Sequence, residues 1–201
     1  MKKKNLLLLI ILFAPFVAMA QFKLDVSLIS GINEVQIKDG GGSGDHESGF
    51  SFKGGVDAIY MFNSNIGIGS GLFYSYYNVV WELSEINRSS NALSIPLNLI
   101  YQIQSSPVEI LFGATANINL NEQLTSNVNT KHEYIPLYMS LQLGGFYNIN
   151  DKIKVGIIAD AGISPYYEMT ALNAAPQYGT PVYKYFLQSL SFKLSYTLFG
   201  K

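Results

Sequence analysis

The chain has 201 residues, no cysteine, and only 13% charged against 48% hydrophobic residues, with a formal net charge of −1. Soluble domains carry about 25% charged residues; this chain is too apolar to be disordered and, without cysteine, is neither a disulfide scaffold nor a thiolate metal protein. Yet past residue 17 no stretch approaches the ~18 consecutive apolar residues that a membrane helix needs.

The first twenty residues read as an export signal. Lys2, Lys3 and Lys4 form a basic segment, Leu6 to Val17 an apolar one, and Ala18-Met19-Ala20 an A-x-A cleavage site. The domain division expected is therefore 1–20 as signal peptide and 21–201 as the folded domain, with Gln21 at its start. A membrane anchor is the alternative, but the apolar run is short for a span, and no cysteine follows it for lipid attachment. Removing the three signal lysines leaves ten basic and fourteen acidic residues. A mildly acidic chain with no basic patch excludes nucleic acid as the expected partner.

From Gln21 onward the hydropathy alternates with period two, the mark of half-buried strands. Leu24, Val26 and Leu28 share one face of the first strand, opposite Lys23, Asp25 and Ser27. Phe52, Val56, Ala58, Tyr60 and Phe62 oppose Lys53, Gly55 and Asp57 on the second. On the third, Ile66, Ile68, Leu72, Tyr74 and Tyr76 oppose Gly67, Gly69, Gly71 and Ser75. The fourth sets Leu93, Ile95, Leu97, Leu99 and Tyr101 against Ser94, Pro96, Asn98 and Gln102. The fifth sets Val108, Ile110, Phe112, Ala114 and Ile118 against Glu109, Gly113, Thr115, Asn117 and Asn119. A sixth strand runs from Ile135 to Leu143 with Pro136, Ser140, Gln142 and Gly144 on its polar face. The seventh has Ile153 to Ile163 against Lys154, Gly156, Asp160 and Gly162, and the last has Leu190 to Leu198 against Ser189, Ser191, Lys193, Ser195 and Thr197.

Eight strands of this length meet the ~9–11 residues of a tilted membrane strand. Short turns at Asn63–Asn65, Ser105–Pro107 and Asn148–Asp151 alternate with long polar segments at Gly31–Gly49, Glu82–Ser90, Asn121–Lys131 and Pro165–Lys184. That alternation predicts an all-β fold, an eight-stranded antiparallel up-and-down barrel of the outer-membrane type, with both termini on the periplasmic, short-turn side. A secreted, soluble lipocalin-like barrel that binds a ligand is the competing reading. Three features favour the apolar face outward. The polar face is Gly, Ser, Asn and Thr rather than Lys and Glu. Some forty large apolar side chains would overfill an eight-stranded lumen. Aromatics gather at both ends of the apolar face, Tyr74 and Tyr76 at one end and Tyr60, Phe62, Tyr101, Tyr147 and Tyr196 at the other, as interfacial girdles do.

The lumen is then predicted to hold Lys23, Lys53, Lys154 and Lys193 beside Asp25, Asp57, Glu109 and Asp160, four charges of each sign. Buried charges persist when paired, so a plug of salt bridges is expected; a proton or ion path is the alternative, with a small-solute pore as its open form. The glycines of the third strand are expected to make room for Phe73, Tyr77 or large residues from neighbouring strands.

Leu93-Ser94-Ile95-Pro96-Leu97 and Ile135-Pro136-Leu137, together with the Ala-Gln signal end and Leu28-Ile29-Ser30-Gly31-Ile32-Asn33, resemble the small PorT-like outer-membrane β-barrel proteins of Bacteroidota. The resemblance spans the folded part of the chain and implies a fold, a location in the outer membrane of a Gram-negative bacterium, and a part in the cell envelope. PorT itself belongs to a secretion and gliding apparatus. The resemblance supplies no catalytic residue and no cofactor. Pro96 and Pro136 run against the rule that excludes proline from strand interiors, and a bulge or loosened ladder near the outer rim is expected at both.

Other constellations are weaker. Gly40-Gly41-Gly42-Ser43-Gly44 lacks the Lys-Ser/Thr of a phosphate loop and is flanked by Asp39, Asp45 and Glu47, so it reads as a flexible loop. Those acids with His46 match no calcium-loop spacing. His46 and His132 are the two histidines; a rim enzyme acting on lipid A or peptides would use one of them, His132 beside Glu133 or His46 beside Asp45 and Glu47, but solvated loop histidines are the commoner outcome. Trp81, Tyr76, Tyr77, Tyr166 and Tyr167 cluster toward the loop end, as a sugar- or protein-binding surface or as membrane anchors. The reading as a whole is a non-enzymatic structural or interaction protein without cofactor or metal, in contact with lipopolysaccharide and phospholipid and with envelope proteins through its loops or turns.

Overall fold

The computed structural model describes residues 21–38, 47–81, 86–125, 131–170 and 182–200. The expected signal peptide and the Asp39–His46 segment lie outside the described residues. Ten strands follow in order: β1 Gln21–Lys38, β2 Glu47–Met61, β3 Ile66–Trp81, β4 Ile86–Gln102, β5 Val108–Thr125, β6 Lys131–Tyr134, β7 Leu137–Asn148, β8 Ile153–Gly162, β9 Tyr167–Thr170 and β10 Val182–Phe199. All pairings are antiparallel, and β1 closes on β10 from Leu24↔Phe199 to Lys38↔Lys184. The ten segments make eight staves, because β6 and β7 form one interrupted stave and β8 and β9 another, both of the latter pairing with β10. The fold is a closed eight-stranded antiparallel barrel.

Alternation places the side chains as the sequence predicts. Leu97, Phe112, Leu143, Ile157 and Phe192 are each more than half exposed on the outer surface, while Asp25, Ser27, Lys53, Asn117 and Ser195 are buried inside. An outward apolar face rules out the lipocalin-like arrangement, which needs those residues within. Tyr74 marks one edge of the apolar band and Phe62, Tyr101, Tyr147 and Tyr196 the other, all exposed. Leu97 stands midway along the band of β4, so Leu97→Arg is expected to destabilise the reconstituted barrel by about 2–4 kcal/mol in urea titrations in lipid vesicles; an unchanged midpoint would place the wall outside the bilayer.

The turns at one end are held by their own side chains. Asn63 Oδ1 accepts the amides of Asn65 and Ile66, both at 2.8 Å, and Asn150 Oδ1 accepts those of Lys152 and Ile153 at 2.8 and 2.9 Å. This is how Asn closes a turn. At the other end the segments read as long loops turn out to be partly strand. The β1 ladder continues to Lys38, β4 begins at Ile86, and β5 runs to Thr125. The physical reason is an inversion of polarity. Beyond the lipid band the outward positions become polar (Glu34, Ser48, Asn78, Ser89) and the inward ones apolar (Val35, Tyr77, Val79, Tyr185, Leu187). The apolar-out pattern stops there, but the hydrogen-bonded ladder does not.

Glycines on β3 admit large neighbours, as expected. A Cβ on Gly71 would lie 2.8 Å from the Phe73 ring and one on Gly69 3.0 Å from Ile100, while Gly67 faces the Met61 sulfur. The two prolines have different fates. Pro96 faces the lumen in mid-wall, away from the rim, because β4 starts at Ile86, seven residues before the Leu93 at which its apolar pattern begins. The β3–β4 ladder lapses there, between Ser70↔Leu97 and Phe73↔Ser94, since proline brings no N–H; Ser70 Oγ instead donates to Pro96 O at 2.8 Å. Pro136 is not in a strand. It is exposed, in the break between β6 and β7, which shortens the expected sixth strand by its first two residues.

Candidate functional site in the barrel lumen

The inward residues form three charged layers, each built from several staves. Nearest the turns, Lys154 of β8 bridges Glu109 of β5 at 3.1 Å and Asp25 of β1 at 3.5 Å. Asn148 donates to Glu109 at 3.0 Å and Thr197 to Asp25 at 2.8 Å. In the middle layer Lys193 of β10 meets Asp57 of β2 at 2.7 Å, and Ser27 donates to the same carboxylate oxygen at 2.6 Å. The third layer pairs Lys53 of β2 with Asp160 of β8 at 3.1 Å, with Gln142 and Ser189 donating to Asp160 at 2.6 and 3.0 Å. Removing such charges from water is costly unless both the pair and its remaining hydrogen bonds are made, and each of these carboxylates has both.

Aromatic and aliphatic side chains separate the layers. Ile29, Phe73, Leu111, Phe146 and Ile158 form a buried cluster inside the barrel. The Lys193 ammonium lies 5.2 Å from the centre of the Phe73 ring and 5.8 Å from that of Phe146, and Lys154 lies 5.6 Å from Phe146. Ammonium groups over ring faces are stabilised by the ring quadrupole. Between the layers lie small spaces of about 20 Å³, one touching Lys53, Asp57 and Lys193, another Asp57, Glu109, Lys154 and Lys193. Each is about the size of one water molecule.

Of the eight charges expected inside, seven make this network. Lys23 stands lower, half-buried in a cavity of about 320 Å³ that opens between the turns and is also lined by Gln102, Glu109, Asn148 and Lys152.

Sequence reading missed Arg88, taken as part of a loop. It lies on β4, 4% exposed, with its guanidinium carbon 3.6 Å from the centre of the Tyr167 ring and 5.3 Å from that of Tyr185, and Nη1 donates to the Tyr166 hydroxyl at 3.3 Å. Around it Val35, Tyr77, Val79, Ala92, Tyr138 and Leu187 complete a second buried cluster at the loop end. The signal that marks Arg88 is its parity with Ser90, Ala92 and Ser94, all inward on β4. Tyr77, Tyr166 and Tyr167, weighed as a surface or as anchors, belong to this cluster and are buried; Tyr76 faces outward against Phe50, ring centres 5.9 Å apart. Trp81 ends β3. His132 stands on β6 opposite Met169, with Glu133 opposite Glu168, and His46 lies outside the described residues.

A sequence model of the outer membrane protein beta-barrel domain matches residues 6–177. No curated protein is similar to the chain in sequence. Among solved structures, the outer membrane protein OprG from Pseudomonas aeruginosa is 15% identical, with 91% of this chain and 98% of that one aligned at a TM-score of 0.49. Neisserial surface protein A is 13% identical, over 85% of this chain and 96% of that one, at a TM-score of 0.50. The family match spans most of the strands that build the lumen and its lipid-facing wall, and the chain belongs to the outer membrane protein beta-barrel domain family.

Proposed function

We propose that this protein is a structural or interaction component of the cell envelope, a PorT-like barrel of Bacteroidota type exported by cleavage of residues 1–20, with its turns in the periplasm and its loop end outside. The observation that carries this reading is the filled lumen. Among the described residues, three paired charge layers and two clusters of buried aromatic and aliphatic side chains fill the middle of the lumen, where spaces of about 20 Å³ lie between them. What remains for function is the surface at the two ends and the lipid-facing wall, which contacts lipopolysaccharide and phospholipid.

The test has two arms. Purified protein in planar bilayers is expected to show no unitary conductance in 1 M KCl, while cross-linking in intact cells is expected to recover discrete envelope proteins. Conductance with well-defined steps would overturn the plug. A rim enzyme predicts a changed lipid A profile when His46 and His132 are both replaced by Ala, and the present reading predicts none.

A further inference from the structure

A groove of about 940 Å³ crosses the outer wall over β7, β8, β10, β1 and β2, within the ~300–1,000 Å³ of small-molecule pockets. Its floor is Ala159 and Ala161 of β8, two short side chains between the more than half-exposed Ile157 and Ile163 of the same strand. Leu141 and Leu143 bank it on one side, and Leu190, Ile32 and Phe50 on the other. Two hydrogen-bonded rows build it. The row nearer the turns runs Leu143, Ala159, Leu190, Ile32, Phe50, and the row nearer the loops runs Leu141, Ala161, Gln188, Glu34, Ser48.

The polarity of the two rows sets how the groove lies in the membrane. On β1 and β2 the first row holds the last apolar outward residues, Ile32 and Phe50, and the second holds the polar Glu34 and Ser48. That end stands at the level of the headgroups. On β7 and β8 the outward residues stay apolar beyond the second row, through Met139, Leu137 and Ile163, all exposed. This end lies within hydrocarbon. Strands tilted in a barrel wall make a single row change height in this way. The groove therefore descends from Glu34 at the border to Leu143 in the apolar band. Of the outward-facing side chains that line it, Glu34 is the charged one and none is basic.

We infer that this groove holds one phosphatidylethanolamine molecule, with an acyl chain laid across Ala161 and Ala159 toward Leu143 and its ammonium at the Glu34 carboxylate. The occupant follows from continuity with the lipid-facing wall and from charge. The deep end opens into hydrocarbon, where acyl chains are the solvent. At the border a carboxylate attracts a cation and repels headgroups of net negative charge, such as phosphatidylglycerol and the phosphates of lipopolysaccharide. A primary ammonium also donates to it in a charge-assisted hydrogen bond, which the quaternary ammonium of choline, having no N–H, cannot do. The Gln188 amide on the neighbouring stave supplies donors for the ester carbonyls. The assignment rests on the lipid contact proposed above and names one lipid within it.

Native mass spectrometry tests this on the full mature protein, released from micelles that hold equimolar phosphatidylethanolamine, phosphatidylcholine and phosphatidylglycerol with the same acyl chains. One phosphatidylethanolamine is expected to be retained at least tenfold over either other lipid. Glu34→Gln is expected to bring the three lipids within threefold of one another, because the carboxylate makes the choice and the apolar floor does not. Ala161→Phe, which fills the floor, is expected to reduce retained lipid of every kind at least tenfold. Faster migration of unheated samples on gels checks that both variants are closed barrels. Retention of phosphatidylethanolamine no greater than of the other lipids, a preference that survives Glu34→Gln, or unchanged retention in Ala161→Phe would overturn the inference. Each of these outcomes leaves the filled lumen and the interaction role standing, since conductance and cross-linking read those separately.

Discussion

Replacing Asp57 by Asn is expected to lower the stability of the reconstituted barrel by about 3–5 kcal/mol. The carboxylate is buried and holds Lys193 at 2.7 Å, so its neutralisation strands an ammonium between Phe73 and Phe146. Lys193→Met is expected to cost a similar amount, because it leaves the carboxylate with Ser27 as a donor and no cation. The double variant is the informative one. Methionine at 193 extends the apolar layer of Ile29, Phe73, Leu111, Phe146 and Ile158, and Asn at 57 keeps an acceptor for Ser27. Its stability is expected within about 1 kcal/mol of the parent, which makes the coupling between the two sites several kcal/mol. Urea titration read by the mobility of unheated samples on gels measures all three. If each single variant shifts the unfolding free energy by less than 1 kcal/mol, the lumen is wetter than a plug and the pairs are solvent-screened.

The second large effect is steric. Gly156 faces the lumen next to Phe146, and a Cβ there would collide with the ring and reach 2.5 Å from Gly145 O. Phe146 is itself locked between the Lys154 and Lys193 ammonium groups. Gly156→Val is expected to destabilise the barrel by about 3 kcal/mol, the upper end of overpacking penalties. Adding Phe146→Leu is expected to recover about half of that and no more, because the Gly145 carbonyl oxygen, which also obstructs, is backbone. Full recovery would show that the ring alone sets the limit; no recovery would show that the strand itself cannot move.

The strands within the lipid band were legible because lipid forces one polarity on one face and the narrow lumen forces the other on the opposite face. Leu93 to Tyr101 and Leu190 to Leu198 carry that alternation without interruption. The charge network was legible for the same reason: Lys53, Asp57, Lys154, Asp160 and Lys193 share the polar parity, and nothing but pairing keeps such groups inside. Their pairing order was not legible, because it depends on how the staves are staggered around the barrel, which brings Lys53 to Asp160 across 107 residues and Lys193 to Asp57 across 136. The upper strands were hidden for the opposite reason. Where Glu34 and Ser89 face outward, the pattern resembles a polar loop, and the inward Arg88 falls within a segment that reads as one. Pro136 was visible as a breaker, but its partner Asn119, whose N–H donates to its carbonyl at 2.9 Å, is one that only the register supplies.

The inversion of polarity along single strands also fixes the height at which this barrel sits. β1, β3 and β10 each carry two alternating patterns of opposite phase; on β1 they meet above Ile32, and the outward face of β2 turns polar above Phe50. Sliding the barrel outward by two residues would lift apolar side chains into water. Sliding it inward by two would carry Glu34 and Ser48 into hydrocarbon. Both displacements raise the free energy, so the molecule rests in a narrow vertical well, and its loop end is held at a constant elevation relative to the headgroups.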